Sequence, residues 1–161
     1  MSTIRVRPAC RTDVERLVDF QMAMAYETES LQLNRDTVTR GVTAVLDDPG
    51  KGQYLVAESE GEVCGSLLIT YEWSDWRNGC VAWIQSVYVV PWARRRGVFR
   101  ALFEHVRDMV VVTRSFIGLR LYVDCRNELA QQVYRKLGMD GDHYRVWEWF
   151  PEAARALQSD G

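Results

Sequence analysis

The chain has 161 residues, 47% of them hydrophobic and 26% charged, the proportions of one globular domain (residues 1–161) with room for a sizeable core. Its formal net charge of −2 excludes the broad basic field of a nucleic-acid binder. No run approaches the roughly 18 apolar residues of a membrane span.

The first residues lack an apolar leader, so the expected setting is soluble, reducing and cytoplasmic. Cys10, Cys64, Cys80 and Cys125 are far apart, with no C-x-x-C pair, which argues against a disulfide framework or a zinc site. Cys64 and Cys125 lie in apolar, strand-like runs and read as small core residues. His105 and His143 are too scattered for a Ser-His relay, and no metal site is expected.

In chain order, Ile4–Arg7 alternates as a short strand. Thr12-Asp13-Val14-Glu15 has the form of a capping box, followed by Val14, Leu17, Val18, Met24 and Ala25 at helical spacing. Residues 26–35 read as a loop carrying Glu27 and Glu29. A second helix is expected from Asp36 to Leu46, stopping before Asp47-Asp48-Pro49-Gly50. Tyr54–Glu58 and Val63–Trp73 form a hairpin turning at Glu60-Gly61. A tight turn at Asn78-Gly79 then leads into a long strand, Val81–Val90.

The pattern then changes to a helix over Val98–Val112, a strand over Leu119–Asp124 and a helix over Asn127–Leu137. Tyr144–Phe150 is expected to close the sheet, with a surface tail from Pro151. Strand, helix, strand at this spacing is a βαβ unit, so the Val81 and Leu119 strands should be parallel neighbours. The fold class is α/β or α+β with a mixed sheet.

Two stretches carry the candidate chemistry. The first is a β-branched strand, Val87-Tyr88-Val89-Val90, followed by Pro91-Trp92-Ala93-Arg94-Arg95-Arg96-Gly97 and a helix start at Val98-Phe99-Arg100. A helix start leaves N–H groups unpaired and carries partial positive charge, so after a buried strand it forms a seat for an anion such as a pyrophosphate. A solvated basic turn is the plainer alternative. The glycine fingerprint of dinucleotide folds and the P-loop lysine are both absent.

The second stretch runs from Asn127 to Gly138. Seven helical steps nearly complete two turns, so Asn127 and Tyr134 share one face roughly 10 Å apart. Each alone has an ordinary reading, Asn127 as an N-cap and Tyr134 as a half-buried core tyrosine.

Taken together, Arg94-x-x-Gly97 after a Val-Tyr-Val strand and Asn127-x-x-Ala130-x-x-x-Tyr134-x-Lys136-x-Gly138 resemble the GNAT acetyltransferase superfamily. The likeness extends over essentially the whole chain. Trp73–Gly79 and Trp83–Val89 are similar to a bacterial subgroup of small, uncharacterised N-acetyltransferases. The departure is Phe99, which fills the last slot of the Arg/Gln-x-x-Gly-x-Gly/Ala pattern and must turn into the core.

That resemblance implies acetyl-CoA as co-substrate, lying where the strands ending near Val89 and Asp124 splay apart. Main chain at Val87, Tyr88 and Val89 would pair with the pantetheine arm. The N–H groups of Arg95, Arg96, Gly97, Val98, Phe99 and Arg100 would hold the pyrophosphate, with arginine side chains, Arg94 among them, near the 3′-phosphate. Asn127 would bond the pantetheine, and Tyr134 would protonate the leaving thiolate.

A free amine would attack the thioester directly, which needs no cysteine or serine nucleophile. Glu29, Glu72 and Asp75, or a water, are the candidates for removing the ammonium proton, since the amide of Gln85 cannot. Trp73, Trp76, Trp83, Tyr26 and Tyr71 are candidates for an aromatic acceptor pocket. The exposed tryptophans also permit a homodimer, and a non-catalytic acyl-CoA-binding module is the competing reading of the same scaffold.

Overall fold

A computed structural model of the chain describes residues 3–151. Five strands pair in the order of the sequence: β1 (Arg5–Pro8), β2 (Gln53–Ser59), β3 (Glu62–Ser74), β4 (Gly79–Val89) and β5 (Gly118–Leu121). The first three pairings are antiparallel. β4 and β5 run parallel, from Val81 opposite Gly118 to Ile84 opposite Leu121. The helices are α1 (Val14–Glu29), α2 (Arg35–Asp47), α3 (Val98–Val111) and α4 (Glu128–Lys136).

β2 and β3 are apolar on both faces because both faces are covered. On one side Leu55, Ala57, Leu67 and Ile69 pack with Leu102, Phe103 and Val106 of α3. On the other, Tyr54, Val56 and Leu68 pack with Leu17 and Val18 of α1 and Val42 of α2. Cys64 is fully buried, as expected, whereas Cys125 is exposed in the loop before α4 because β5 ends early.

Four local expectations are corrected. The capping interaction sits two residues earlier than Thr12: the Asp13 carboxylate accepts the Cys10 N–H at 2.7 Å, and α1 begins at Val14. Tyr26, Glu27 and Glu29 are helical rather than looped, and α1 ends where Ser30 turns left-handed (φ 56°). β5 stops at Leu121 instead of Asp124. Tyr144–Phe150 forms no strand and is exposed, although its apolar residues recur as in a strand. A β5 of only four residues offers little main chain for another strand to join. The tail expected beyond Pro151 lies outside the described residues.

β4 carries the feature that shapes everything past its midpoint. Gln85 pairs with Leu68 and Tyr88 with Ser66, so Ser86 and Val87 together oppose Leu67. This is a β-bulge, with Ser86 at φ 50°. One extra residue reverses which side chains face which side of a strand. Trp83 and Gln85 share a face with Glu72 and Thr70, to which they bond. Beyond the bulge it is Tyr88 that meets α1, its ring 5.2 Å from that of Phe20. β4 and β5 are paired up to Ile84 and no further.

The start of α1 is fixed to the sheet by charge. Arg7 of β1 donates to both oxygens of Asp13 at 2.7 and 2.9 Å and also reaches Glu58 of β2. The Asp13 carboxyl is held below its ordinary value, foremost by the Arg7 hydrogen bond, although burial works the other way. Asp13 is 5% exposed, so Asp13→Ala should destabilise the fold by about 2–3 kcal/mol in urea unfolding, since the Cys10 N–H loses its acceptor and Arg7 keeps only Glu58. Arg35→Ala, which breaks exposed pairs to Glu15 and Asp19, should leave the unfolding midpoint unchanged. Because the Asp13 carboxyl is depressed in the folded state, its contribution is complete at neutral pH. It should fade as the pH falls below about 4, and the Asp13→Ala variant should lack that part of the acid sensitivity.

Candidate functional site

Beyond the end of β4 the chain makes a short turn at Pro91–Ala93 and then a tight, basic one before α3. Arg95 (φ 63°) and Gly97 (φ 86°) are both left-handed, and such turns aim successive N–H groups into one concavity. The first main-chain bond of α3 runs from Ala101 N–H to the Gly97 carbonyl. The amides of Val98, Phe99 and Arg100 therefore precede the helical bonding pattern. No side chain caps this end. Gly65 lets it dock closely on the sheet: a Cβ there would lie 2.8 Å from Val98 Cγ1 and 3.1 Å from the Tyr88 carbonyl.

This turn faces α4 across a cleft of about 490 Å³. One wall is Val89, Arg94, Arg95, Gly97, Val98, Phe99 and Arg100; the other is Val133, Lys136 and Leu137. The structure thus puts the basic turn and part of the second stretch, Val133, Lys136 and Leu137, on one opening, while Asn127 and Tyr134 are not among its lining residues. No acidic residue lines it. Arg96 points away from this lining set, its guanidinium 6.0 Å from the Trp92 ring.

Val89 presents its main chain on the side where the sheet is open. The neighbouring Val90 N–H bonds back to Cys64 in β3, so by strand alternation the polar groups of Val89 face the opposite edge. The Val89 carbonyl accepts from Arg94 Nε at 2.9 Å. The rest of the Arg94 guanidinium turns towards α1 and meets Glu27 at 2.5 Å.

Phe99 does not turn fully inward. It is half-buried, with its ring 6.2 Å from Phe103 in the core and 5.8 Å, edge to face, from Tyr134. It therefore bridges α3 and α4 through its contact with Tyr134. Tyr134 is half-buried, and burial raises its phenol above the ordinary value, since the phenolate would be poorly solvated. Asn127 acts as the N-cap of α4, its Oδ1 accepting the Ala130 N–H at 3.1 Å, so that oxygen is committed to the helix.

The three candidate bases separate clearly. Glu72 accepts the Trp83 indole N–H and pairs with Arg120 at 2.5 Å; these contacts hold its carboxyl below the ordinary range and make it a weaker base. Asp75 lies in the β3–β4 turn and accepts the Trp76 N–H at 2.9 Å. Glu29 ends α1 and makes no hydrogen bond among the described residues, yet its field reaches Arg126, one residue before Asn127.

The expected aromatic pocket is not assembled. Trp83 shares the α1 side of the sheet with Glu72, whereas Tyr71 faces the other way and stacks on Phe116 at 6.0 Å. Alternation puts Trp73 on the Tyr71 side, and Trp76, 89% exposed, sits at the hairpin tip. Trp83 meets Tyr122 instead, with ring centroids 6.2 Å apart. Nothing in the sequence marks Glu27 or Arg120 as part of these charge pairs. Their partners lie 67 and 48 residues away, so no local spacing marks them.

No helix among the described residues is long and apolar enough to cross a membrane, and no group of three or more His, Cys, Asp or Glu among them could hold a metal ion.

Comparison with curated proteins gives no match. Among solved structures, the chain is 38% identical to a possible acetyltransferase from Clostridium difficile 630, covering 92% of this chain and 97% of that one, with a TM-score of 0.85. It shares its fold, at 16% identity and a TM-score of 0.75, with an aminoglycoside N-acetyltransferase in complex with CoA, covering 94% of this chain and 97% of that one. A ribosomal-protein-alanine N-acetyltransferase from Brucella melitensis biovar Abortus 2308 has the same fold at 15% identity and a TM-score of 0.75, covering 92% of this chain and 100% of that one. Residues 13–139 match the acetyltransferase (GNAT) family, and the chain belongs to that family.

Proposed function

We propose that this chain moves the acetyl group of acetyl-CoA to a primary amine of a small molecule or peptide, by direct attack while both are bound. The supporting observation is the cleft between the α3 start and α4, where uncapped amides and basic side chains face Tyr134's helix. Amide N–H groups from Arg95 to Arg100 hold the pyrophosphate, and Arg95, Arg100 and Lys136 supply positive charge around the phosphates. The open edge at Val87 and Val89 receives the pantetheine as an added strand. Asn127 keeps its amide N–H₂ for the same arm while its oxygen caps α4.

The amine nitrogen bonds to the thioester carbon, the C–S bond breaks, and the products are an amide and free CoA thiol. Tyr134 protonates the departing thiolate; its raised pKa keeps the phenol protonated at neutral pH. Glu29, acting through water, takes the ammonium proton, because Glu72 is tied to Arg120 and Trp83.

Tyr134→Phe should keep CoA binding by calorimetry but lose roughly 10²–10⁴-fold in turnover, followed by thiol release over an amine panel. Unchanged turnover would remove Tyr134 from the acid role. Tight CoA binding by the wild-type chain with no thiol release on any amine would instead assign the acyl-CoA-binding module.

Gly97→Ala should lower stability by about 1–2 kcal/mol, since an L side chain must hold φ 86° although the space for its Cβ is open. Relief of that strain by turning the peptide would misdirect the amides, so CoA affinity should fall as well. A Gly97→Ala variant with full CoA affinity would rule out the turn as the phosphate seat.

A further inference from the structure

Arg94 opens the turn before α3, and two of its three guanidinium nitrogens are held by protein. Nε donates to the Val89 carbonyl at 2.9 Å, Nη2 meets Glu27 Oε2 at 2.5 Å, and the plane lies 5.6 Å from the Tyr88 ring centre. The other Glu27 oxygen accepts the Tyr88 hydroxyl at 2.8 Å. Tyr88 is 7% exposed and stands just past the bulge. One carboxylate on the last turns of α1 thus joins the end of β4 to the first residue of the phosphate turn. The Tyr88 and Arg94 bonds keep it ionised, below its ordinary pKa despite the opposing effect of burial.

Bonds from Nε and Nη2 and the Tyr88 ring on one face fix the guanidinium in place, although Nη1 makes no hydrogen bond among the described residues. The position of the guanidinium fixes where the backbone leaves the Val89 carbonyl and enters the left-handed turn at Arg95. Resting on the acetyl-CoA reading above, we propose that Glu27 is a positioning residue for the donor site. It acts through Arg94 to hold the phosphate turn in its binding shape, and Arg94 serves as a strut rather than a phosphate ligand. The ligand affected is the diphosphate portion of CoA.

The two roles of Arg94 give opposite signs. If Arg94 is a strut, Glu27→Gln loosens the turn, and the dissociation constant for CoA should rise about tenfold in calorimetry on the full chain. If Arg94 is a tethered phosphate ligand, the same substitution releases a cation and CoA binds more tightly. Pantetheine, which lacks the diphosphate, should bind Glu27→Gln and wild type alike; a general packing defect would weaken both ligands together.

Arg94→Lys supplies the second variant. It keeps the charge but not the fork, and should weaken CoA as Glu27→Gln does, with no further loss in the double variant. If Glu27→Gln does not fold, Glu27→Asp, which draws the carboxylate back from Arg94, gives the same opposite-sign readout. Tighter or unchanged CoA binding, or equal losses for CoA and pantetheine, overturns the proposal. A wild-type chain that does not take up CoA overturns the donor reading, and this proposal with it.

Discussion

The arrangement depends on one irregularity, the bulge at Ser86 and Val87. Regular pairing would keep β4 alternating in step and carry Tyr88 to the α3 side. The added residue brings Tyr88 round to α1, where it meets Phe20 and Glu27. Pairing with β5 ends at Ile84, before this point, and leaves the main chain of Val89 facing an edge with no strand on it. A parallel pair that stops halfway creates a gap between strands, and the basic turn and α4 stand at its end.

Arginine rather than lysine holds this architecture at three places. Arg7 joins β1, β2 and the entry of α1; Arg94 joins the exit of β4 to the last turns of α1; Arg120 of β5 joins Glu72 of β3 across Trp83 of β4. Each contact uses the planar fork to bind a carboxylate and thereby fixes direction as well as distance. α1 is tied to the sheet near both of its ends, with Leu17, Val18 and Phe20 filling the space between. The first tie joins the start of the helix to β1 and β2, and the second brings Glu27 to the basic turn before α3.

The polar floor on the α1 side of the sheet has its own logic. Thr70 bonds Gln85, and Glu72 bonds Trp83 and Arg120, so the Glu72 and Arg120 charges offset each other across three strands. Trp83 against Tyr122 adds an aromatic wall. The two more distant fold-mates are named for different acceptors, an aminoglycoside and a ribosomal protein.

Much of the fold was legible from the residues because its signals are local. The Glu60-Gly61 and Asn78-Gly79 turns, the apolar stripe Leu102–Phe103–Val106 and the βαβ spacing each act over a few residues or a single crossover. Where reading failed, the deciding partner was remote or missing. Tyr144–Phe150 has the pattern of a strand, but pairing depends on an edge that β5 is too short to supply. The aromatic residues near the hairpin read as one pocket until alternation sends Tyr71 and Trp83 to opposite faces.

The sequence by itself determined the order of elements from β1 to α4, because helix and strand periodicities are properties of a short stretch of chain. Only the tertiary structure decided that α4 lies across a cleft from the basic turn, that Arg94 is drawn to Glu27, and that Glu72 is tied to Arg120 and Trp83. Those outcomes depend on contacts between residues that are neighbours only after the sheet has formed, and no spacing along the chain encodes them.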